Sequence, residues 1–300
     1  MNKKIKPFLK WAGGKTQLLP VIMERLPQNI EEMNRYVEPF IGAGAVFFEF
    51  AKNNSFEEYI INDINEKLIN LYLVIRDNVE ELINELVAIR DEYFSFTEME
   101  DKEKYYYDKR KQFNDTKELN TQMAALFIFL NKTCFNGLYR ENSNGAFNVP
   151  FGKAKNPSMF EEEQLREISN LLNIKDEQGN LRVKIYNKSF EELGENINEH
   201  TFVYFDPPYR PVTVGGFNTY NKSSFTDEEQ IKLAEFYTQM DVKSAKLMLS
   251  NSDPKNLDDS DEFFDELYKA FNIERVTANR MINSDAKGRG AITEILVCNY

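Results

Sequence analysis

Histidine is nearly missing from this sequence. His200 stands alone in 300 residues, beside only two cysteines, Cys134 and Cys298, and one tryptophan, Trp11. So little histidine and cysteine argues against Ser–His or Cys–His nucleophilic machinery. It also supplies neither a zinc ligand cluster nor a disulfide framework. His200 itself reads as a strand-entry residue. Net basic charge is lacking too: 37 Lys and Arg face 49 Asp and Glu, giving −12. That balance argues against nonspecific coating of nucleic acid, which wants a strongly basic domain. No apolar run is long enough to span a bilayer, and the charged N-terminus has no signal-peptide core. A cytoplasmic protein is expected, with no membrane association and no structural metal. No internal repeat or low-complexity tract is present.

What is abundant is apolar and aromatic. Hydrophobic residues make up 42%, with 24 Phe and 15 Tyr, enough for one large domain or a domain carrying an insertion. The acidic residues gather at Glu80-Glu81, Glu98 to Glu103, Glu161-Glu162-Glu163 and Asp258 to Glu266. The basic ones form three other groups: Lys3, Lys4, Lys6 and Lys10; Lys132, Arg140, Lys153 and Lys155; Arg280, Lys287 and Arg289. Local positive patches on an acidic body are compatible with a nucleic-acid groove.

Apolar runs predict strands at Tyr36 to Glu38, Glu58 to Asp63, Arg182 to Tyr186, Phe202 to Phe205, Ala245 to Ser250, Ile273 to Ala278 and Glu294 to Asn299. Helical periodicity covers Asn65 to Ile75, Val79 to Glu92, Thr121 to Phe129, Asp227 to Met240 and Asp261 to Phe271. From about Phe94 to Asn156 strand signals fade. The pattern predicts one α/β sheet domain, residues 1–75 and 164–300, split by a mostly helical insertion, residues 76–163.

Three segments carry chemistry. In the first, the strand Phe202 to Phe205 runs into Asp206-Pro207-Pro208-Tyr209-Arg210-Pro211, where the prolines stop it and offer no N–H. Asp206 is biased to extended backbone by the proline after it. The strand end therefore presents carbonyls, one carboxylate and one aromatic face, a surface suited to a planar amino group. A carboxylate and the Pro207 carbonyl can take the two amine hydrogens while Tyr209 stacks on the ring. The plain alternative is a strand-to-loop turn.

In the second, Phe40-Ile41-Gly42-Ala43-Gly44 follows a strand and opens a helix, with Asp63 about twenty residues later, the spacing of a nucleotide-type site. Phe47 stands where a pyrophosphate fingerprint has its third glycine. This favours an adenosine derivative without a pyrophosphate, and S-adenosylmethionine fits. Phe8 to Thr16 ends in Gly-Lys-Thr, but Leu9 stands where a phosphate loop needs glycine, so the segment reads better as a clamp over a ligand. In the third, the loop-rich stretch from Lys132 to Lys153 interleaves Phe135, Asn136, Arg140, Asn142, Asn144 and Asn148. Arg suits guanine and Asn suits adenine in a major groove, although a solvated hairpin is the simpler reading.

Taken in order, Phe8 to Lys15, Glu38 to Gly44, Asn62-Asp63, Phe135-Asn136-Gly137-Leu138-Tyr139-Arg140, Phe147 to Gly152 and Asp206 to Tyr209 resemble the Dam family of DNA N6-adenine methyltransferases. The resemblance runs over essentially the whole chain. It implies a Rossmann-like methyltransferase sheet with an inserted recognition domain, S-adenosylmethionine as methyl donor, and double-stranded DNA as partner, with GATC as the expected site. Base flipping and direct transfer to the amine come with it. By this resemblance Asp206, Pro207 and Tyr209 are catalytic. Trp11, Lys15, Phe40, Gly42, Asp63, Phe190 and Asp206 meet the cofactor; Lys10, Phe135, Asn136, Leu138, Arg140 and Pro150 meet DNA. Two departures are visible: Ser189 stands where some members have Asp, and Ala154 where some have an aromatic residue. Pro211 to Ser223 reads as a mobile loop beside the pocket. Cytosine C5 chemistry is excluded, since neither cysteine lies in a Pro-Cys context. Transfer to cytosine N4 or to RNA, and a DNA-binding regulator without activity, are the competing readings. Restriction–modification and housekeeping roles fit equally.

Overall fold

The computed structural model describes residues 5–11, 13–53, 55–210, 225–279 and 291–300. The expected loop Pro211 to Ser223 and the basic residues Lys3, Lys4, Arg280, Lys287 and Arg289 lie outside them.

Among the described residues seven strands form one sheet: β1 (Arg35–Glu38), β2 (Glu58–Asn62), β3 (Val183–Tyr186), β4 (Thr201–Phe205), β5 (Lys246–Ser252), β6 (Asn272–Asn279) and β7 (Ala291–Cys298). Their order is β3-β2-β1-β4-β5-β7-β6. The first five are parallel, with Tyr36 level with Phe202, Val37 with Ile60, and Phe205 with Leu249. β7 is antiparallel to both β5 and β6. Strand order reverses between β1 and β4, the switch point at which open α/β sheets bind ligands beyond their carboxyl ends.

The central strands read as unbroken apolar runs because both faces are covered. Tyr36, Ile61, Phe202, Tyr204 and Met248 belong to one buried cluster, and Val37, Ile60, Val203, Phe205 and Leu249 to the other. Helices α1 (Leu19–Glu24) and α2 (Ala45–Lys52) contribute to the first. Helix α8 (Asp227–Val242) and the short α9 (Phe263–Leu267) contribute to the second. The sequence predicts a helix over Asp261 to Phe271; only 263–267 is helical, because the chain must turn through Tyr268 to enter β6 at Asn272.

Between β2 and β3 the chain makes α3 (Glu66–Asp77), α4 (Val79–Ser95), α5 (Met99–Asp115), α6 (Thr121–Thr133) and α7 (Glu162–Leu172). Asn65 caps α3 by accepting from the N–H groups of Lys67 and Leu68. α6 is apolar on every side, and its residues Met123 to Asn131 are all buried. Such a helix forms the centre of a bundle, and α3, α4 and α5 pack around it. No helix among the described residues is long and apolar enough to cross a membrane.

Candidate active site and DNA-facing surface

The carboxyl ends of β1 to β5 gather the expected residues on one rim. β1 leads into Phe40 and Gly42, β2 into Asp63, β3 into Phe190, and β4 into Asp206. Buried Asn62 ties three of these connections together. Its side-chain N–H groups donate to the Pro39 carbonyl at 2.9 Å and the Lys188 carbonyl at 3.0 Å, and its Oδ1 accepts from the Lys188 N–H.

Gly42 (φ 48°) and Gly44 (φ 73°) both adopt left-handed backbone, where L side chains are strained. A Cβ on Gly42 would lie 2.8 Å from Trp11 Nε1, so glycine here lets the indole rest on the turn. The Asp63 carboxylate accepts from the Gly42 N–H at 3.1 Å and the Asn65 N–H at 2.9 Å. Burial pushes its pKa up to about 6, against the pull of those amides. Beside it Ile64 is 72% exposed, an apolar side chain left bare at a rim. Phe40 and Phe190 face one another with ring centres 5.6 Å apart.

Asp206 sits at the switch point. Lys15, 4% exposed at its side chain, brings Nζ within 2.6 Å of Asp206 Oδ1, donates to the Gly13 carbonyl, and lies 4.4 Å from the centre of the Tyr209 ring. Ser250 also donates to Oδ1, at 3.2 Å, and its hydroxyl pairs with Tyr204. Both contacts fall on Oδ1, leaving Oδ2 uncommitted among the described residues. Burial raises the Asp206 pKa, and the Lys15 charge opposes that rise. Glu38 is buried nearby and accepts from the Tyr36 hydroxyl at 2.6 Å; burial drives its pKa well above the carboxylate range. Pro207 is buried. Tyr209 donates its hydroxyl to Glu294 at 2.6 Å.

The residues expected to meet DNA form a second, contiguous surface. Asn131, buried at the end of α6, accepts from the Lys10 N–H and donates to the carbonyls of Lys10 and Gly137. This binds the N-terminal segment to the turn Phe135–Gly137. Asn136 and Gly137 both have positive φ, and the Lys10 side chain fills the space a Cβ on Gly137 would need. Phe135 and Leu138 are 49% and 37% exposed, and Lys10, Arg140 and Pro150 are exposed beside them.

Bridges Cys134–Phe151 and Glu141–Phe147 shape the segment into a hairpin. α5 fastens it: the Tyr106 hydroxyl and Arg110 guanidinium donate to the Val149 carbonyl, and Asn114 bonds both polar groups of the Phe147 backbone. Arg140 Nε donates to Asn148 Oδ1 at 2.7 Å, leaving its two terminal nitrogens uncommitted among the described residues. Burial, with repulsion from Lys10 and Lys6, lowers Lys132 to about 8, which places three cations together. Tyr139 lies between Leu138 and Arg140 and turns inward, with its ring stacked on Trp11 (5.7 Å) and Phe127 (4.9 Å).

Sequence reasoning alone does not single out Ser250, Glu294, Glu38, Asn131 or Ile64. The first two reach Asp206 and Tyr209 from strands far along the chain, so no local motif announces them. For Ile64 a signal existed: an apolar residue directly after a strand-end acid, with no buried face to join.

A family model described as D12 class N6 adenine-specific DNA methyltransferase matches residues 11–282. Among curated relatives, a type II methyltransferase, M.MjaIII, of Methanocaldococcus jannaschii is 46% identical, covering 99% of this chain and all of that one. M1.LlaDCHI of Lactococcus lactis is 39% identical over 99% of this chain and 96% of its own. The DNA adenine methylase of Escherichia coli K12 is 33% identical over 98% and 95%. The target nitrogen is thereby settled as adenine N6 in DNA, against the cytosine and RNA alternatives. The chain belongs to the D12 class of N6 adenine-specific DNA methyltransferases.

Proposed function

We propose that this protein transfers the methyl group of S-adenosylmethionine to the N6 of an adenine turned out of duplex DNA, at GATC sites. The observation that carries the reading is a single rim that holds Asp206, Pro207 and Tyr209 beside the glycine turn and Asp63. The residues present fit the cofactor: the Gly42 turn admits close backbone approach, Asp63 offers a carboxylate to ribose hydroxyls, and Ile64, Phe40 and Phe190 supply apolar surface for an adenine ring. When bound, S-adenosylmethionine supplies an electrophilic methyl group.

The rest falls to the chain. An N6 amine is a weak nucleophile because its lone pair is shared with the ring. Asp206 Oδ2 and the Pro207 carbonyl accept its two hydrogens, which lets the nitrogen pyramidalise and frees the lone pair. Lys15 and Ser250 hold Asp206 through Oδ1, so the accepting oxygen is aimed in advance. Tyr209 stacks on the flipped base. No strong base is required, because the nitrogen becomes acidic only once it is methylated.

Lys10, Phe135, Asn136, Leu138, Arg140 and Pro150 contact the duplex, with Arg140 reading a guanine through its uncommitted terminal nitrogens. The division into a catalytic domain (1–75, 164–300) and a recognition domain (76–163) belongs to the same proposal. Its test is Asp206→Ala. The variant should lose methyl transfer while keeping cofactor and DNA affinity, since the carboxylate acts mainly in the transition state. Transfer of labelled methyl at near wild-type rates would remove Asp206 from the mechanism.

A further inference from the structure

Glu294 is a carboxylate with an unusual assignment. It lies on β7, level with Ser252 of β5 on one side and Val276 of β6 on the other. The antiparallel insertion of β7 thus delivers a residue from near the end of the chain to the catalytic rim. The neighbouring acids pair with cations: Asp253 and Asp265 take Arg275, and Asp227 and Asp261 take Arg210. Glu294 forms no ion pair among the described residues. Its described contact is the 2.6 Å hydrogen bond from the Tyr209 hydroxyl.

We infer that Glu294 is a positioning residue for methyl transfer, fixing the plane of the Tyr209 ring on which the target adenine stacks. This rests on the reading of Tyr209 as the ring beneath the base. A tyrosine ring rotates about its Cβ–Cγ bond and swings about Cα–Cβ. Here it is held at both ends: the Asp206–Pro208 backbone fixes its root, and Glu294 fixes its tip. The tether is firm because Glu294 stands on β7, a strand paired on both sides by β5 and β6. A charged acceptor makes the bond stronger than a neutral one. It also leaves the phenol ring more electron-rich, which favours stacking against an adenine whose amine gains positive charge during attack. An orientation fixed before the base arrives is one that binding need not impose.

The experiment is a double-mutant cycle on the full-length protein with Tyr209→Phe, Glu294→Ala and the pair, measuring single-turnover methyl transfer, cofactor and DNA affinity, and melting temperature. Glu294→Ala should slow transfer about ten- to a hundredfold, the rate equivalent of one hydrogen bond to a charged group, with both affinities within about twofold of wild type. Tyr209→Phe should slow it comparably, and adding Glu294→Ala to Tyr209→Phe should cost nothing more. Glu294→Gln, which keeps an acceptor oxygen, should recover most of the rate. If Glu294→Ala melts below the assay temperature, Glu294→Met carries the same cycle. An equal loss from the Glu294 change in both backgrounds overturns the inference, as does a Gln variant no better than Ala. Tyr209→Ala separates the two layers. Full activity in that variant sinks the stacking reading itself, whereas an inactive Tyr209→Ala with an additive cycle sinks only the role of Glu294.

Discussion

Replacing Lys15 by Met tests whether Lys15 favours the ionised form of Asp206, the carboxylate proposed to be catalytic. Lys15 Nζ lies 2.6 Å from Asp206 Oδ1, with the lysine side chain 4% exposed and the aspartate 21%. Burial raises the Asp206 pKa from its ordinary value near 3.8, and Lys15 is the largest influence opposing that rise. An opposite charge close to a carboxylate lowers its pKa by about one to three pH units. Losing Lys15 should therefore raise the Asp206 pKa further and disfavour the ionised form.

The assay is a pH–rate profile of single-turnover transfer at saturating cofactor and DNA. The acid limb should move to higher pH in Lys15→Met while the plateau changes separately. Stability follows the opposite sense. A carboxyl whose folded pKa is raised contributes stability that is fully present below its unfolded value and lost as pH climbs through the folded one. Without Lys15 that upper edge rises, so the variant's melting deficit should be larger at pH 8 than at pH 5. An acid limb at the wild-type position, or a deficit independent of pH, would refute the coupling between Lys15 and Asp206.

Further expectations follow from the other parts of the site. Cofactor affinity should weaken as pH falls through about 6, where Asp63 takes up a proton, and Asp63→Asn should flatten that dependence in calorimetry between pH 5 and 8. The same raised value means that Asp63 contributes most to fold stability below its ordinary value near 3.8 and loses that contribution as pH rises through about 6. Arg140→Ala should erase about 1–3 kcal/mol of discrimination at one base pair, read as relatively faster methylation of duplexes altered there; uniform slowing of a full substitution panel would make Arg140 a phosphate anchor instead. Gly42→Ala places a Cβ 2.8 Å from the Trp11 indole at φ 48°, a backbone strain of about 1–2 kcal/mol before any clash. It should lower the melting temperature by a few degrees and weaken cofactor binding more than DNA binding.

The strands that build the rim were legible because local runs such as Phe202 to Phe205 are apolar throughout, which requires burial on both faces. Asp206 and Asp63 were legible because each directly follows such a run. The place of β7 between β5 and β6 was not. Pairing order depends on contacts between residues far apart in sequence, and the run Glu294 to Asn299 reads the same at an edge as in the interior. Glu294 and Ser250 went unseen for that reason, since their meaning lies in what the register sets beside them. The hairpin's rigidity was hidden as well. An Asn-rich stretch looks solvated until Tyr106, Arg110 and Asn114 of α5 take up its carbonyls and amides.

One joint in this architecture ties the proposed cofactor site to the proposed DNA surface. The Trp11 indole rests against Gly42 on the proposed cofactor side and stacks on Tyr139 from the hairpin that carries Leu138 and Arg140. Whatever seats the indole also seats the hairpin. Coupling of this kind is reciprocal: a factor by which bound cofactor raises affinity for DNA is the factor by which DNA raises affinity for cofactor. A smaller residue at Tyr139 should uncouple the two affinities, read as loss of the cofactor's effect on DNA binding.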